Sequence, residues 1–284
     1  MDRLLPIHRL DTQPGTGSRV KVQKALIEAA GKAFRTTRFF GLLYEREPAC
    51  AAEIPFISES DYHRSAGLLD CVTDRTAIIG IMPPYWRDTS RLPFAVPEDE
   101  AELSLRQKRI VRAMNHLGVR FEKSPRFLII ADGRRGPFAA ELAKGFYWEG
   151  FQTSICFHDG TGQDLRREVA AHEPDFVLMT SSRHQRHVLE RPRDSVWIVE
   201  SCSHSPIDDP SYPSLIFADG VDLIGSRRAG VPEYDYDDEQ LLIEVNPTSG
   251  LSYITKLQFT CFPLIRFNLG RHLLIPYTSR MEES

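Results

Sequence analysis

Short apolar stretches alternate with amphipathic stretches through the middle of the chain, and this alternation restricts the fold more than any other feature. "RFLIIADG" (126–133) is typical of a buried strand that ends in a turn, and "GPFAAELAKGFYWEG" (136–150) is typical of a helix that ends at a glycine. The same order recurs in "QTSICFHDG", "GQDLRREVAAHEPD", "DFVLMTSS" and "SVWIVES". Strands that alternate with helices indicate βαβ units. We therefore predict an α/β fold with a mostly parallel sheet flanked by helices, and strands near 76–82, 126–131, 153–157, 175–180 and 195–200.

The two flanks of this region differ from it in character. Residues 1–75 contain long stretches with helical spacing. The clearest helix of the chain, "PEDEAELSLRQKRIVRAMNHLGV" (97–119), lies within the α/β region itself. Residues after 205 form short apolar runs separated by Gly, Pro and Asn turns, including a hairpin turn at "NPTSG". The pattern predicts a helical leading segment (1–75), an α/β sheet domain (76–205) and a β-rich subdomain (206–284) that packs on it.

Composition excludes several classes of protein. Hydrophobic residues make up 42% of the 284 residues, which is enough for a packed core. The net charge of −4 disfavours a general nucleic-acid binder. Five cysteines without a CxxC pair predict neither a disulfide framework nor a zinc site, and no apolar run approaches the ~18 residues of a membrane span. We expect a cytoplasmic protein that binds no nucleic acid, membrane or metal.

The C-terminal pattern is more specific than any single motif. It runs "LLIEV", a turn, "LSYITKL" and then "FPLIRFNLGR". This order resembles the adenylate-forming superfamily, in particular its phenylacetate–CoA ligase-like branch. "EIPFISESDYHRSAG", "AELAKGFYWEGFQTSICFHDG" and "SVWIVESCSHSPID" resemble further segments, so that the likeness covers about residues 53–275. It implies the fold of the large N-terminal domain of these enzymes, with Arg266 in the position of an arginine that contacts the nucleotide.

Departures from the family pattern concern ATP. The resemblance implies a Ser/Thr/Gly-rich phosphate loop where this chain has "MPPYWRDTSRLPF" (82–94), which has three prolines and no glycine. Ser203 and His204 stand where the family has a magnesium-binding glutamate, and an imidazole is a poor magnesium ligand. Arg271 replaces the aspartate that holds the ribose, and we expect the small domain that carries the catalytic lysine of the family to be absent. We expect a degenerate ATP site and no cofactor.

The stretch "ESCSHSPIDD", at the end of a predicted strand, carries the candidate catalytic residues. Glu200, Cys202 and His204 alternate, so that an extended segment would place them on one side. His204 is a candidate general base and Cys202 a candidate nucleophile, while Asp208 and Asp209 could orient the ring or contact substrate. The alternative, in which Cys202 is a small core residue and His204 a structural loop residue, stays open.

Further residues are predicted to bind substrate. Tyr85 and Trp86 stand where the phosphate loop of the family would be, and they either line a new site or fill the old one. Arg134, in "ADGRRG", precedes a helix whose start could bind an anion, although a plain βα turn explains the pattern as well. Arg266 completes the set through the resemblance.

Three hypotheses about function follow. The first is a repurposed adenylate-forming-like enzyme that acts without ATP on an acyl, aryl or aminoacyl substrate, either free or bound to CoA or a carrier, in specialised-metabolite biosynthesis. The second is a non-catalytic subunit or scaffold that supports a ligase or a carrier protein. The third is a genuine ATP-dependent acyl-activating ligase. All three admit a carrier protein and a second copy of the chain as partners.

Overall fold

The structure, a computed structural model, describes residues 5–8, 16–64, 68–82, 96–158, 162–180, 192–201, 210–246, 248–270 and 273–274. The chain divides into two units that interleave along the sequence. The first comprises Met1–Met82, Val96–Leu105 and Tyr236–Ser284, and the second Pro83–Ala95 and Arg106–Asp235. These units are compact groups in space, not continuous stretches of sequence. The predicted domain boundaries at residues 75 and 205 therefore stay a prediction.

The described residues contain helices and strands in alternation. The α-helices are α1 (Thr16–Thr36), α2 (Arg38–Tyr44), α3 (Glu59–Arg64), α4 (Glu100–His116), α5 (Gly136–Trp148) and α6 (Gly162–His172). The strands are β1 (Leu5–His8), β2 (Gly80–Met82), β3 (Val96–Glu98), β4 (Arg126–Ala131), β5 (Gln152–Phe157), β6 (Phe176–Met179), β7 (Val196–Ser201), β8 (Ser214–Ala218), β9 (Asp222–Arg227), β10 (Tyr234–Tyr236), β11 (Leu241–Val245), β12 (Ser252–Lys256), β13 (Phe267–Asn268) and β14 (Leu273–Leu274).

A mostly parallel sheet forms the second unit. Its strands lie in the order β10-β9-β8-β7-β6-β4-β5. β4 pairs in parallel with β5 on one side and with β6 on the other, and the pairs β6–β7 and β7–β8 are parallel as well. Only the pair β8–β9 is antiparallel among the registers described for this unit. The predicted α/β fold class is therefore confirmed, and strands stand at four of the five predicted positions.

The strand predicted at 76–82 is not part of this sheet. Residues Arg75–Ala77 form a 3-10 turn, and β2 pairs with β3 in a two-stranded antiparallel sheet. Ile79 and Ile81 are 62% and 61% exposed. A strand inside a parallel sheet is covered on both faces, so this alternating exposure fits a ribbon at the surface of its unit.

Helices cover both faces of the parallel sheet. On one face α4 and α5 pack on the strands through Met114, Phe138 and Phe146, which reach Trp197 and the neighbouring apolar residues. On the other face α6 contributes Leu165 to a second apolar cluster. Because both faces are buried, the strands are continuous apolar runs, which is what made them visible in the sequence.

The first unit combines helices with an antiparallel sheet of β11, β12 and β13 in that order. The hairpin predicted at "NPTSG" is confirmed, since Val245 pairs with Ser252 across the turn and Gly250 has a φ of +67°. The core of this unit is aromatic and contains Phe39, Phe40, Tyr62, Phe262 and Phe267. In the described part of the chain no helix has the length and apolar character needed to cross a membrane.

Candidate functional site

The carboxyl ends of parallel strands are where sites gather in open α/β sheets, and β7 ends there at Ser201. Six of the predicted site residues lie outside the described residues: Tyr85, Trp86, Cys202, His204, Asp208 and Asp209. Their predicted roles therefore stay predictions. The geometry of the candidate site rests on Glu200, Arg134 and Arg266.

Glu200 lies inside the sheet and takes part in a buried polar cluster. Ser214 pairs with Ile198 on one side and with Arg227 on the other, which places these residues and Glu200 on one face of the sheet. The Oε1 atom of Glu200 accepts hydrogen bonds from Arg227 Nη2 (3.2 Å) and from the hydroxyl of Tyr234 (2.8 Å). Arg227 Nε also donates to Ser214 Oγ at 3.0 Å.

The ion pair between Glu200 and Arg227 and the hydroxyl of Tyr234 are buried. The side chains of Glu200 and Arg227 are 0% and 1% exposed. Burial, and next the charge of Glu200, raise the pKa of Tyr234 well above its usual value, so that its hydroxyl stays a donor. Removing one member of such a buried pair costs several kcal/mol, typically about 3–5. Glu200 thus anchors the end of β7 through its bonds to Arg227 and Tyr234.

Arg266 is buried in the first unit, and its side chain binds protein groups on two segments. Nε and Nη2 donate to the two carboxylate oxygens of Glu244 at 3.0 and 2.9 Å. Nη1 donates to the carbonyl oxygens of Ala51 and Ile54, both at 2.7 Å. The backbone N–H of Arg266 donates to Thr255 Oγ1 at 2.9 Å. Four of the five guanidinium N–H groups are therefore used to connect β11 with residues 51–54.

Aromatic side chains surround this arginine. Its guanidinium carbon lies 4.8 Å from the ring centroid of Phe56, and that ring packs on Tyr253 at a centroid distance of 4.3 Å. The hydroxyl of Tyr44 is buried without a hydrogen-bond partner in the structure as described. Burial raises the pKa of Tyr44, and the positive charge of Arg266 opposes this effect. The guanidinium of Arg266 is therefore buried among aromatic rings, where its ion pair with Glu244 is shielded from water.

Arg134 is exposed in a 3-10 turn, Gly133–Arg135, between β4 and α5. The Oδ1 atom of Asp132 accepts hydrogen bonds from the backbone N–H groups of Arg134 (3.0 Å) and Arg135 (3.1 Å). An anion at the start of a helix would use N–H groups of this kind. Because a carboxylate of the chain already binds them, the geometry favours the plain βα turn over an anion site.

Metal ligands and unpredicted partners complete the description. The described residues contain no group of three or more His, Cys, Asp or Glu side chains that could hold a metal ion. Glu244, Arg227 and Tyr234 bind the predicted residues but were not predicted from the sequence. For Glu244 the available signal was a single charged residue in an otherwise apolar strand, "LLIEV".

Comparison with known proteins gives matches among solved structures alone. No family model and no curated protein matches this sequence. 2-Hydroxyisobutyryl-CoA ligase, bound to 2-HIB-AMP and CoA in its thioesterification state, has a TM-score of 0.71 and 14% identity over 92% of this chain. The same ligase matches in an open conformation (TM-score 0.67, 15% identity, 92% of this chain) and in the postadenylation state (0.69, 14%, 92%).

The share of the ligase that is matched is smaller. This chain spans 64% of the ligase chain in the first and third of these structures and 74% in the open conformation. Sequence identity at this level shows the fold alone. The likeness shows that this chain has the fold of 2-hydroxyisobutyryl-CoA ligase.

Proposed function

We propose that this chain is an enzyme that acts on an acyl, aryl or aminoacyl group without using ATP. The proposal rests on one observation, which is that the side chain of Arg266 binds groups of the protein itself. The resemblance places an arginine that contacts the nucleotide at this position, yet here four of its N–H groups bind Glu244, Ala51 and Ile54. The absence of glycine from residues 82–94 and the basic residue Arg271 support the same conclusion.

The substrate in this proposal carries its own activation. Without ATP the chain cannot make an acyl adenylate, so a thioester of CoA or of a carrier protein is the class of substrate that fits the fold. His204 takes the proton of the Cys202 thiol, the thiolate attacks the acyl carbonyl, and the thiol that leaves receives that proton. Glu200 is a positioning residue in this scheme, because its carboxylate holds the end of β7 through Arg227 and Tyr234.

Intact-mass spectrometry after incubation with phenylacetyl-CoA and other acyl-CoA thioesters tests this scheme. We expect an acyl adduct on the wild type and none on Cys202→Ser. An adduct of equal yield on Cys202→Ser would contradict the role of the cysteine. Failure of every thioester to form an adduct or to turn over would contradict the proposal as a whole.

His204→Ala provides a second test, with turnover and melting temperature measured on the same sample. A positioned general base contributes about 10²–10⁴ to the rate, so we expect a loss of that size with little change in melting temperature. Full activity of His204→Ala would remove this residue from the mechanism. A lower melting temperature with unchanged turnover would assign it a structural role.

A non-catalytic subunit is the second candidate, and one observation favours it. Two charged residues of the predicted site are described and buried, namely Glu200 and Arg266. Each of them forms an ion pair with another residue of the protein. A subunit that supports a ligase or a carrier protein would need these residues for stability only. Native mass spectrometry of the protein purified from its host separates the two: a retained acyl ligand supports the enzyme, and a retained protein partner supports the subunit.

A further inference from the structure

The strand β5 leaves one set of backbone groups facing away from the sheet. Among the described strands its only neighbour is β4. The N–H of His158, directly after β5, donates to the carbonyl oxygen of Ala131 at the end of β4. Because the backbone groups of a strand alternate in direction, the N–H and C=O groups of Thr153, Ile155 and Phe157 point away from β4.

Side chains at these three positions share one face, the one covered by α5. Ile155 packs against the apolar cluster that α5 contributes to, whereas Cys156 packs into the cluster on the opposite face. The Phe157 ring lies 3.3 Å from the position that a Cβ on Gly136, the first residue of α5, would occupy. Phe157 is nevertheless 60% exposed.

The sequence of β5 itself lacks the residues by which proteins normally prevent strand pairing. "QTSICF" contains no charged residue and no proline, and its residues favour the strand conformation. At the other end of α5, close to where β5 begins, Tyr147 and Trp148 are 71% and 47% exposed. Aromatic side chains are therefore exposed toward both ends of the same edge.

We propose that two copies of this chain form a two-fold dimer through antiparallel pairing of β5 with β5 of the second copy. The symmetric register that pairs all three outward residues places Ile155 opposite itself on the axis and Thr153 opposite Phe157. Each of these facing pairs exchanges two hydrogen bonds. Phe157 of one copy then covers Thr153 of the other, at the end of the edge where Tyr147 is exposed. An interface made of one surface patch and its own copy is the usual form of a homodimer.

Cysteine crosslinking tests the register, in a protein that also carries Cys50→Ser and Cys202→Ser. In a hydrogen-bonded antiparallel pair the Cα atoms are about 5.5 Å apart, within the disulfide range of about 4.4–6.8 Å. Ile155→Cys should therefore give a covalent dimer under mild oxidation. Thr153→Cys is the matched control, because four strand steps of about 3.4 Å separate the two copies of this residue along the edge. The register is wrong if Ile155→Cys gives no dimer, or if Thr153→Cys gives as much.

Light scattering tests the dimer itself. The wild type should have twice the chain mass of 32.3 kDa. Thr153→Pro removes an outward N–H and no bond to β4, so it should give a folded monomer by circular dichroism. Leu42→Lys, at a side chain in the first unit that is 71% exposed, should remain dimeric. A monomeric wild type at high protein concentration, or a dimeric Thr153→Pro, would overturn the proposal. Because none of these measurements involves substrate, their outcome is independent of the proposed function.

Discussion

At the scale of single residues, Arg266 combines backbone strain with a dense set of contacts. Its φ of +47° lies in the left-handed region, which costs a non-glycine residue about 1–2 kcal/mol. The bonds to Glu244, Ala51 and Ile54 over-determine this conformation, because releasing the backbone would break the ion pair as well. The strain is thus maintained by contacts within the first unit.

Arg266→Ala should therefore lower the free energy of unfolding by about 3–5 kcal/mol, since Glu244 would be left largely buried without its partner. Arg46→Ala is the matched control, because Arg46 forms an exposed ion pair with Glu53 and its side chain is 80% exposed. That change should cost less than about 1 kcal/mol. Urea unfolding measures the free energy of unfolding of both variants. Similar losses for the two would contradict a stabilising role of the buried Arg266–Glu244 ion pair.

Two buried tyrosines allow a paired comparison. Tyr234 donates to Glu200, so Tyr234→Phe should lower the free energy of unfolding by about 1–3 kcal/mol. The hydroxyl of Tyr44 is buried without a hydrogen-bond partner among the described residues, so Tyr44→Phe should be neutral or stabilising. Equal losses of stability for the two variants in urea unfolding would contradict a stabilising hydrogen bond from Tyr234 to Glu200.

At the scale of elements, α4 shows a limit of hydrophobic periodicity. Its apolar stripe is visible in the sequence, but the helix also buries Arg106 and Arg109, which are 3% and 4% exposed. Arg106 pairs with Asp222 at 3.4 Å, and Arg109 Nη2 donates to the carbonyl oxygen of Val221 at 3.4 Å. Hydrophobic periodicity assigns charged residues to the solvent side, so the burial of these two arginines beside the apolar stripe could not be predicted.

His116, in the last turn of α4, makes stability depend on pH. Burial, followed by the charges of Arg228 and Arg112, lowers the pKa of His116 from 6.5 to about 4, and its Nδ1 lies 2.8 Å from Ser226 Oγ. The unfolded chain therefore takes up a proton near pH 6.5 that the folded chain refuses until about pH 4. Stability should fall as the pH is lowered through this window, and the contribution should be complete above it.

Melting temperatures of His116→Gln across this pH window test the assignment. The variant should lose less stability than the wild type on acidification, because neither of its states takes up this proton. His172→Gln, at an exposed position of α6, is the control and should follow the wild type. An unchanged pH slope in His116→Gln would show that other groups cause the acid sensitivity.

Local and non-local information differ in what they predict. The strands at 126–131 and 196–201 were predictable because each is an apolar run buried on both faces, and the strand at 152–157 was predictable from its place between two helices. The strand predicted at 76–82 is present only as the three residues of β2, and its pairing with β3 was not predictable because β3 lies beyond residues 83–95. Glu200 was singled out by its position, but its role depends on the register of β7, β8 and β9, which no short stretch of sequence contains.

At the scale of the whole molecule, a ligase fold coincides with two features on which the proposed function rests. The chain matches 2-hydroxyisobutyryl-CoA ligase over 92% of its length. Yet Arg266 binds protein carbonyls and a carboxylate, and the segment at 82–94 lacks glycine. In the proposed function, this fold binds an acyl group and does not use ATP.

Isothermal titration calorimetry with ATP and magnesium tests this claim most directly, with acyl-CoA thioesters titrated into the same protein. We expect no specific heat with millimolar ATP and magnesium, and saturable binding of at least one thioester. A thermal shift assay should agree, because a ligand at 100 times its Kd stabilises a protein by about 2.7 kcal/mol. A micromolar Kd for ATP in the presence of magnesium would contradict the account and establish the genuine ligase in its place.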